Sequence, residues 1–426
     1  MAASNPSKEG NAHSMPDPAP TPPTASVRLA IRHALGWLVA GNAVGLWLCA
    51  LQLRPSLAVG DWTYGRWVPV HLNVQLFGWT SLPLVALLLW IYEVDRGKAS
   101  RWGATAVWAW TTALAAGALC WLDGRTSGKI FLDWRDGSLW GLVAAMTVLW
   151  LVLAAAWKDR APCWKAARRW LSLGGLAVLA TVPAAMVFSA SPKVYPPVDP
   201  TTGGPTGASL LGSTLVVIPL MLLLPRFGSA IGKGRAGWGT WVYLAACWVV
   251  FAAAEWAGGT HWDFHQIGSM AMLLPWVVLI PWDWDAFQWP AASAPWRKAV
   301  FLWWALLTLT GVGMYVPGLL DRIKFTHGLV AHSHVAMAGF TTSFCCLLLT
   351  LLAGRAPGGR SSLLAWHSAA LAMVATLAVM GLAEGGGYDW MLGNPWWRTI
   401  GLHLRACCGA VMLVASGVWY LNLRKP

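Results

Sequence analysis

Long apolar stretches recur from one end of this chain to the other. Each is about 20 residues long, which is the length that an α-helix needs to cross the hydrocarbon core of a bilayer. The composition agrees, since 57% of the 426 residues are hydrophobic and only 11% are charged. We therefore predict an all-α polytopic membrane protein that lies in a lipid bilayer, and we exclude a soluble enzyme.

The apolar stretches predict a single bundle of twelve transmembrane helices over residues 27–423, joined by short connections. The predicted helices cover residues 28–52, 68–92, 102–121, 138–157, 170–190, 207–226, 238–257, 261–282, 298–320, 330–354, 362–383 and 398–422. Residues 1–26 are rich in Pro, Ala and Ser and contain no apolar core, so we expect a disordered tail without a cleavable signal peptide.

Lysine and arginine residues predict the orientation of the bundle. If both termini are cytoplasmic, 20 of the 30 Lys and Arg residues fall on the inner side, as the positive-inside rule requires. The net charge of +13 is scattered between the spans in this arrangement. We therefore expect no nucleic-acid partner.

Five histidines fall in one layer of the membrane in this topology. His71 lies near the start of helix 2, His261 opens helix 8, His332 and His334 open helix 10, and His403 lies near the start of helix 12. Every even-numbered helix starts on the outer face, so these side chains share an outer layer. Histidines in membrane helices are uncommon and usually functional, and sorting by depth favours a functional role.

His332 and His334 are the most informative pair. Residues two apart on an α-helix are separated by about 200°, so the two imidazoles leave opposite faces of one helix at nearly the same depth. Each is able to hold a different metal centre. His71 and His334 are candidate axial ligands of a six-coordinate low-spin haem, and His332 is a candidate sole ligand of a second haem with one open side.

Haem propionates need cationic or hydrogen-bonding partners at the outer rim of the slot. Arg398 and Arg405 are the main candidates, with Arg322 and Lys324 as further ones. His327, just before helix 10, either bonds a propionate or faces water. The alternative for the arginines is ordinary interfacial anchoring.

These motifs resemble subunit I of the haem-copper oxidase superfamily, above all its nitric oxide reductase and cbb3-type oxidase branches. The resemblance rests on twelve spans, on His71 in helix 2, and on the run Val330-Ala331-His332-Ser333-His334 in helix 10. Thr326-His327-Gly328 and His403-Leu404-Arg405 are similar to the helix 9–10 region and the last helix of the nitric oxide reductases. Gly258-Gly259-Thr260-His261 resembles the Gly-rich metal-binding turn of the family.

The resemblance implies a low-spin haem b on His71 and His334 and a high-spin haem b on His332. Electrons would pass from the first haem to the second, where a small gas, O2 or NO, is bound or reduced. It also implies an electron-donor subunit with c-type haem or copper, and a location in the bacterial inner (cytoplasmic) membrane with the haem sites near the periplasmic face.

The chain departs from the family at the second metal, copper or non-haem iron, which takes three histidines from helices 6 and 7. Helix 6 has no histidine here, and the expected helix 7 pair is His261-Trp262. If helix 8 begins at His261, His261 and His265 share a face and are spaced to chelate a metal, with Asp263 and Glu255 as nearby oxygen donors. The sequence leaves the presence of this metal open.

The incomplete donor set leaves two alternatives to an oxidase or reductase. One is a non-catalytic haem-b electron-transfer subunit that has lost the copper site. The other is a haem-free twelve-span transporter, which would need ionisable residues at the midplane, whereas here they cluster at one edge of the membrane.

Overall fold

A computed structural model describes residues 23–191, 193–194, 207–227, 231–387, 393 and 396–424, and this part of the chain is almost entirely helical. The helices are α1 (Ala25–Leu53), α2 (Tyr64–Asn73), α3 (Ser81–Ile91), α4 (Ser100–Leu122), α5 (Asp136–Arg160), α6 (Ala166–Ala190), α7 (Gly207–Leu215), α8 (Val217–Phe227), α9 (Trp238–Ala257), α10 (Phe264–Ala271), α11 (Trp276–Trp284), α12 (Ala294–Gly313), α13 (Leu319–Ile323), α14 (His327–His334), α15 (Thr342–Ala353), α16 (Arg360–Glu384) and α17 (Trp396–Arg424). Two short antiparallel strands, β1 (Ile231–Gly232) and β2 (Phe287–Gln288), pair with each other.

The all-α prediction is confirmed. Ten helical stretches of the described chain are long and apolar enough to cross a membrane, and the apolar stretch Leu210–Arg226 is shorter. Each of the twelve predicted segments overlaps at least one helix of the described chain. Two of them, 207–226 and 298–320, lie outside the set of ten.

The N-terminal boundary differs from the prediction. Residues 1–22 of the predicted tail lie outside the described residues, but Ala25 and Ser26 already belong to α1. The amide and the hydroxyl of Ser26 both donate to Oδ2 of Asp95, at 3.0 and 2.6 Å. Ser26 is therefore part of the folded bundle because it is fastened to the connection between α3 and α4.

The helix that carries His332 and His334 lies at the centre of the bundle. The stretch His327–Ala353 is 72% buried, more than any other candidate span. Its first part, α14, packs against α16, and α16 packs against α17, which in turn packs against α1. A β-carbon at Gly381 of α16 would collide with the backbone of Gly328 in α14, so these two helices approach unusually closely.

The spans of His71 and of His332 and His334 change their helical form just after these histidines. A π-helical segment, Val74–Thr80, follows α2, and a second one, Val335–Thr341, follows α14. The indole N–H of Trp79, in the first segment, donates to the hydroxyl of Thr342, directly after the second, at 3.0 Å in the buried core. Short π segments inside α-helices are frequent at functional sites. The two segments here lie side by side in the bundle, since Trp79 bonds to Thr342.

Candidate functional site

The ring of His71 is pressed against α1. Its Nδ1 is 2.8 Å from the carbonyl oxygen of Gly41, and a β-carbon at Gly45 would lie 2.8 Å from its Cε1. A carbonyl oxygen only accepts hydrogen bonds, so Nδ1 carries the proton and Nε2 keeps its lone pair. His71 is therefore fixed in the tautomer that binds iron through Nε2.

His334 has the same arrangement on α14. Its Nδ1 is 2.8 Å from the carbonyl oxygen of Val330, one turn earlier, which again leaves the lone pair on Nε2. His71 lies seven residues after the first residue of α2, and His334 lies seven residues after the first residue of α14. Both are thus about 10 Å from the starts of their helices. His334 is within electrostatic range of both His71 and Arg405.

The two spans that carry His71 and His334 meet in the core. Further along the same spans, α3 packs against α15 and Trp79 bonds to Thr342. Both imidazole rings are surrounded by protein and yet retain accessible surface. The space between the helices of a bundle is a usual place for a cofactor site.

His332 faces a different helix from His334. Its Nδ1 is 3.1 Å from the hydroxyl oxygen of Thr310 in α12, and its ring lies beside Gly311, where a β-carbon would be 3.4 Å from Cε1. The Thr310 hydroxyl donates to the carbonyl of Leu306 at 2.6 Å, so it accepts from Nδ1 of His332. His332 therefore also keeps a lone pair on Nε2, as His71 and His334 do.

A chain of hydrogen bonds joins Glu384, His327, Arg405 and Gln52. Glu384 accepts from His327 Nδ1 at 2.5 Å and from the His327 backbone N–H at 2.8 Å. Arg405 Nη1 donates to His327 Nε2 at 3.0 Å and to Gln52 Oε1 at 2.9 Å. Both ring nitrogens of His327 are therefore engaged, and this side chain positions Arg405 instead of offering a free donor to an anionic group.

Arg405 is a buried cation whose hydrogen bonding is incomplete. Its side chain is buried, with 8% of the residue exposed, and its Nε has no hydrogen-bond partner among the residues that the structure describes. A buried cation with an unpaired N–H is costly unless an anion faces it. Arg398, half-buried and seven residues earlier on α17, lies on the same helix face. This arrangement suits the carboxylates of a large cofactor.

His261 lies in the turn before α10, because this helix begins at Phe264. The condition under which His261 and His265 would share a helix face is therefore not met. His261 Nε2 lies 3.1 Å from Asp321 Oδ1, which is also 3.0 Å from the ammonium of Lys324. Burial raises the pKa of Asp321, but hydrogen bonds from Lys324 and His261 outweigh it and hold the pKa of this carboxyl below its ordinary value.

Two further predicted donors of the second metal, His265 and Asp263, have separate partners, whereas Oε1 of Glu255 is buried without a hydrogen-bond partner among the described residues. His265 Nε2 is 2.8 Å from the carbonyl oxygen of Gly258, and Asp263 accepts from the backbone N–H of Thr260 at 2.7 Å. In the described part of the chain, no group of three or more His, Cys, Asp or Glu side chains is arranged to hold a metal ion. These residues therefore form no complete donor set for copper or non-haem iron.

Several residues that contact the candidate ligands are not among those predicted from the sequence. Gly41 and Gly45 have the Gly-x-x-x-Gly spacing that allows helices to approach closely, and this signal was available. Glu384 is one of few carboxylates next to a span, but nothing in the sequence connects it to His327. Gln52 and Thr310 give no signal, since polar residues near helix ends are ordinary.

No protein-family model matches this chain, and no curated protein matches it significantly.

Proposed function

We propose that this chain is a haem-b-binding subunit of a respiratory membrane complex, similar in role to subunit I of the haem-copper oxidases and nitric oxide reductases. The observation that carries the proposal is the pair His71 and His334. Each has Nδ1 fixed by a backbone carbonyl and a lone pair on Nε2, and each residue keeps some accessible surface. These two residues would be the axial ligands of a low-spin haem b.

His332 would bind the second, high-spin haem b, on the opposite side of α14. Its bond to Thr310 holds the ring against α12 in the tautomer that ligation requires. When bound, the two haems would supply one-electron redox chemistry and an open axial position for O2 or NO. The protein would orient them and exclude water from the slot between its helices.

Arg405 and Arg398 would pair with haem propionates. The unpartnered Nε of Arg405 supports this role, because a carboxylate there would complete the hydrogen bonding of a buried guanidinium. His327 and Glu384 would hold Arg405 in place. We further propose twelve spans with both termini cytoplasmic in the bacterial inner membrane, the haem sites near the periplasmic face, and an electron-donor partner with c-type haem or copper.

A second candidate is an electron-transfer or gas-binding haem subunit that does not catalyse reduction. This candidate is favoured because the predicted ligands of the second metal are engaged by protein groups. His261 pairs with Asp321, and His265 bonds to a backbone carbonyl. Copper or non-haem iron therefore has no evident set of ligands in the described residues.

The test is pyridine haemochrome quantitation with elemental analysis on the purified full chain. We expect two b-type haems per chain, and we expect His334→Ala to abolish the low-spin spectrum while His332→Ala spares it. His403→Ala is the matched control, because His403 makes the same bond to a carbonyl one turn earlier, at 2.8 Å from Thr399, but is exposed.

Each contrary result has a defined meaning. A purified chain without haem absorption would leave only the transporter. Equal loss of both haems in the His332 and His334 variants would contradict the assignment of one haem to each face. One stoichiometric copper or iron besides the haems would favour the enzyme over the electron-transfer subunit.

A further inference from the structure

An open groove lies at the end of the bundle where α9 begins, α11 ends and α12 begins. It has a volume of about 530 Å³, and its walls are Arg235, Val277, Val278, Pro281, Trp282, Asp285, Arg297 and Phe301. The connections at this end are tied together by the pairing of β1 with β2. From Val277 to Asp285 the wall runs about 12 Å along the axis of α11.

The groove is apolar along the helices and charged at its mouth. Val278 is 68% exposed and Trp282 is 45% exposed, which is typical of a surface in contact with lipid tails. Arg235 and Arg297 stand at the polar end with one carboxylate, Asp285. The ion pair between Arg235 and Asp285 is 3.4 Å long and exposed, so it adds little and leaves most N–H groups of Arg235 available.

Both arginines are held over indole rings. The guanidinium of Arg235 lies 5.9 Å from the ring centre of Trp282, and that of Arg297 lies 5.1 Å from the ring centre of Trp289. The Nε of Arg297 is buried and has no hydrogen-bond partner in the part of the chain that the structure describes. Two pre-oriented cations, one with an unused buried donor, are suited to a phosphate group.

We propose that this groove binds an anionic glycerophospholipid, with its phosphate between Arg235 and Arg297 and an acyl chain along Val277, Val278 and Phe301. Basic pockets between membrane helices are recognised sites for anionic headgroups. The charge at the mouth favours an anionic lipid over a zwitterionic one, and the apolar wall favours a lipid over free phosphate. This inference is independent of the haem proposal.

The test is native mass spectrometry of the delipidated full chain titrated with phosphatidylglycerol or phosphatidylcholine. We expect phosphatidylglycerol to bind in preference to phosphatidylcholine. Each arginine near a headgroup contributes about fivefold to the affinity, so the double variant Arg235→Gln/Arg297→Gln should bind phosphatidylglycerol roughly 25-fold more weakly. Val277→Trp fills the groove without changing its charge, and we expect it to weaken the lipid as well. Millimolar inorganic phosphate should not displace the lipid.

The matched control is Arg101→Gln. Arg101 also lies over an indole, 5.3 Å from the ring centre of Trp102, but it does not line the groove, and we expect unchanged binding. Equal affinity of the wild type and the double variant would overturn the proposal. Displacement of the lipid by inorganic phosphate alone would overturn the proposal in favour of a phosphate site. Crosslinking of a photoreactive residue at Val278 to a protein instead of to lipid would overturn it in favour of a protein partner.

Discussion

The tautomer distinguishes the three candidate ligands from His367. His71, His332 and His334 donate through Nδ1 to an oxygen that accepts, so each keeps its Nε2 lone pair. His367 is the opposite case, because its Nδ1 accepts from the indole N–H of Trp303 at 3.0 Å and its proton is on Nε2. Where a histidine binds a metal, the loss of a partner of this kind changes the metal affinity by about 10- to 100-fold.

Glu384 should contribute to the stability of the folded protein through its two hydrogen bonds to His327. It accepts from both the ring and the backbone N–H of His327, the first residue of α14. We expect Glu384→Ala to lower stability by about 1–3 kcal/mol, because it strands two buried donors. Glu384→Gln should cost less, since its carbonyl oxygen still accepts one bond. Thermal unfolding of the purified protein measures both effects.

The control for Glu384 is Glu255→Ala. The Oε1 atom of Glu255 is buried without a partner in the described chain, so its removal should be neutral or stabilising. If both alanine variants unfolded at the same temperature, the bonds from Glu384 to His327 would not fasten α14.

At the scale of helices, the sequence predicts the positions of the helices much better than the π-helical segments and breaks within them. Length and hydropathy locate the predicted helices because the bilayer core sets both. The π segments at Val74–Thr80 and Val335–Thr341 have no such signal, since packing between spans produces them. Helix 8 likewise divides into α10 and α11, which moves its start from His261 to Phe264.

The close contact between Gly45 of α1 and His71 of α2 predicts the effect of a substitution at Gly45. A β-carbon at Gly45 would lie 2.8 Å from the His71 ring, closer than real side chains come. We expect Gly45→Ala to push the ring from its bond to Gly41 and to lower the content of the proposed low-spin haem in the purified chain, measured by its absorption spectrum.

Gly36→Ala is the control on the same helix. A β-carbon at Gly36 would meet only Tyr420, at the ordinary distance of 3.8 Å, so the haem content should not change. Equal haem content in both variants would mean that Gly45 does not set the position of His71.

At the scale of the whole molecule, the candidate site is built from residues that are distant in sequence. Arg405 on α17 meets His327 on α14 and Gln52 on α1, at separations of 78 and 353 residues. The sequence identifies Arg405, His71 and His334 as candidates because each is a rare residue in an apolar span. It gives no information on which of them meet, because that depends on the order in which the helices pack.

The distribution of Lys and Arg predicts the topology of the whole bundle. We expect a fluorescent protein fused to the C-terminus to fluoresce, which requires a cytoplasmic location, and alkaline phosphatase fused after Ser127 to be active, which requires the outer side. A phosphatase fusion after Lys98 is the control and should be inactive. Activity at Lys98 would reverse the assigned orientation.

The bond between Trp79 and Thr342 also has a consequence for biogenesis. Its two residues are 263 positions apart, so a ribosome that adds about 5–20 residues per second needs roughly 13–50 s to make the second after the first. During this interval α2 is in the membrane without its partner span. Trp79 therefore stays without its hydrogen-bond partner until the tenth predicted span has been made, and chains that end before Thr342 cannot form this bond.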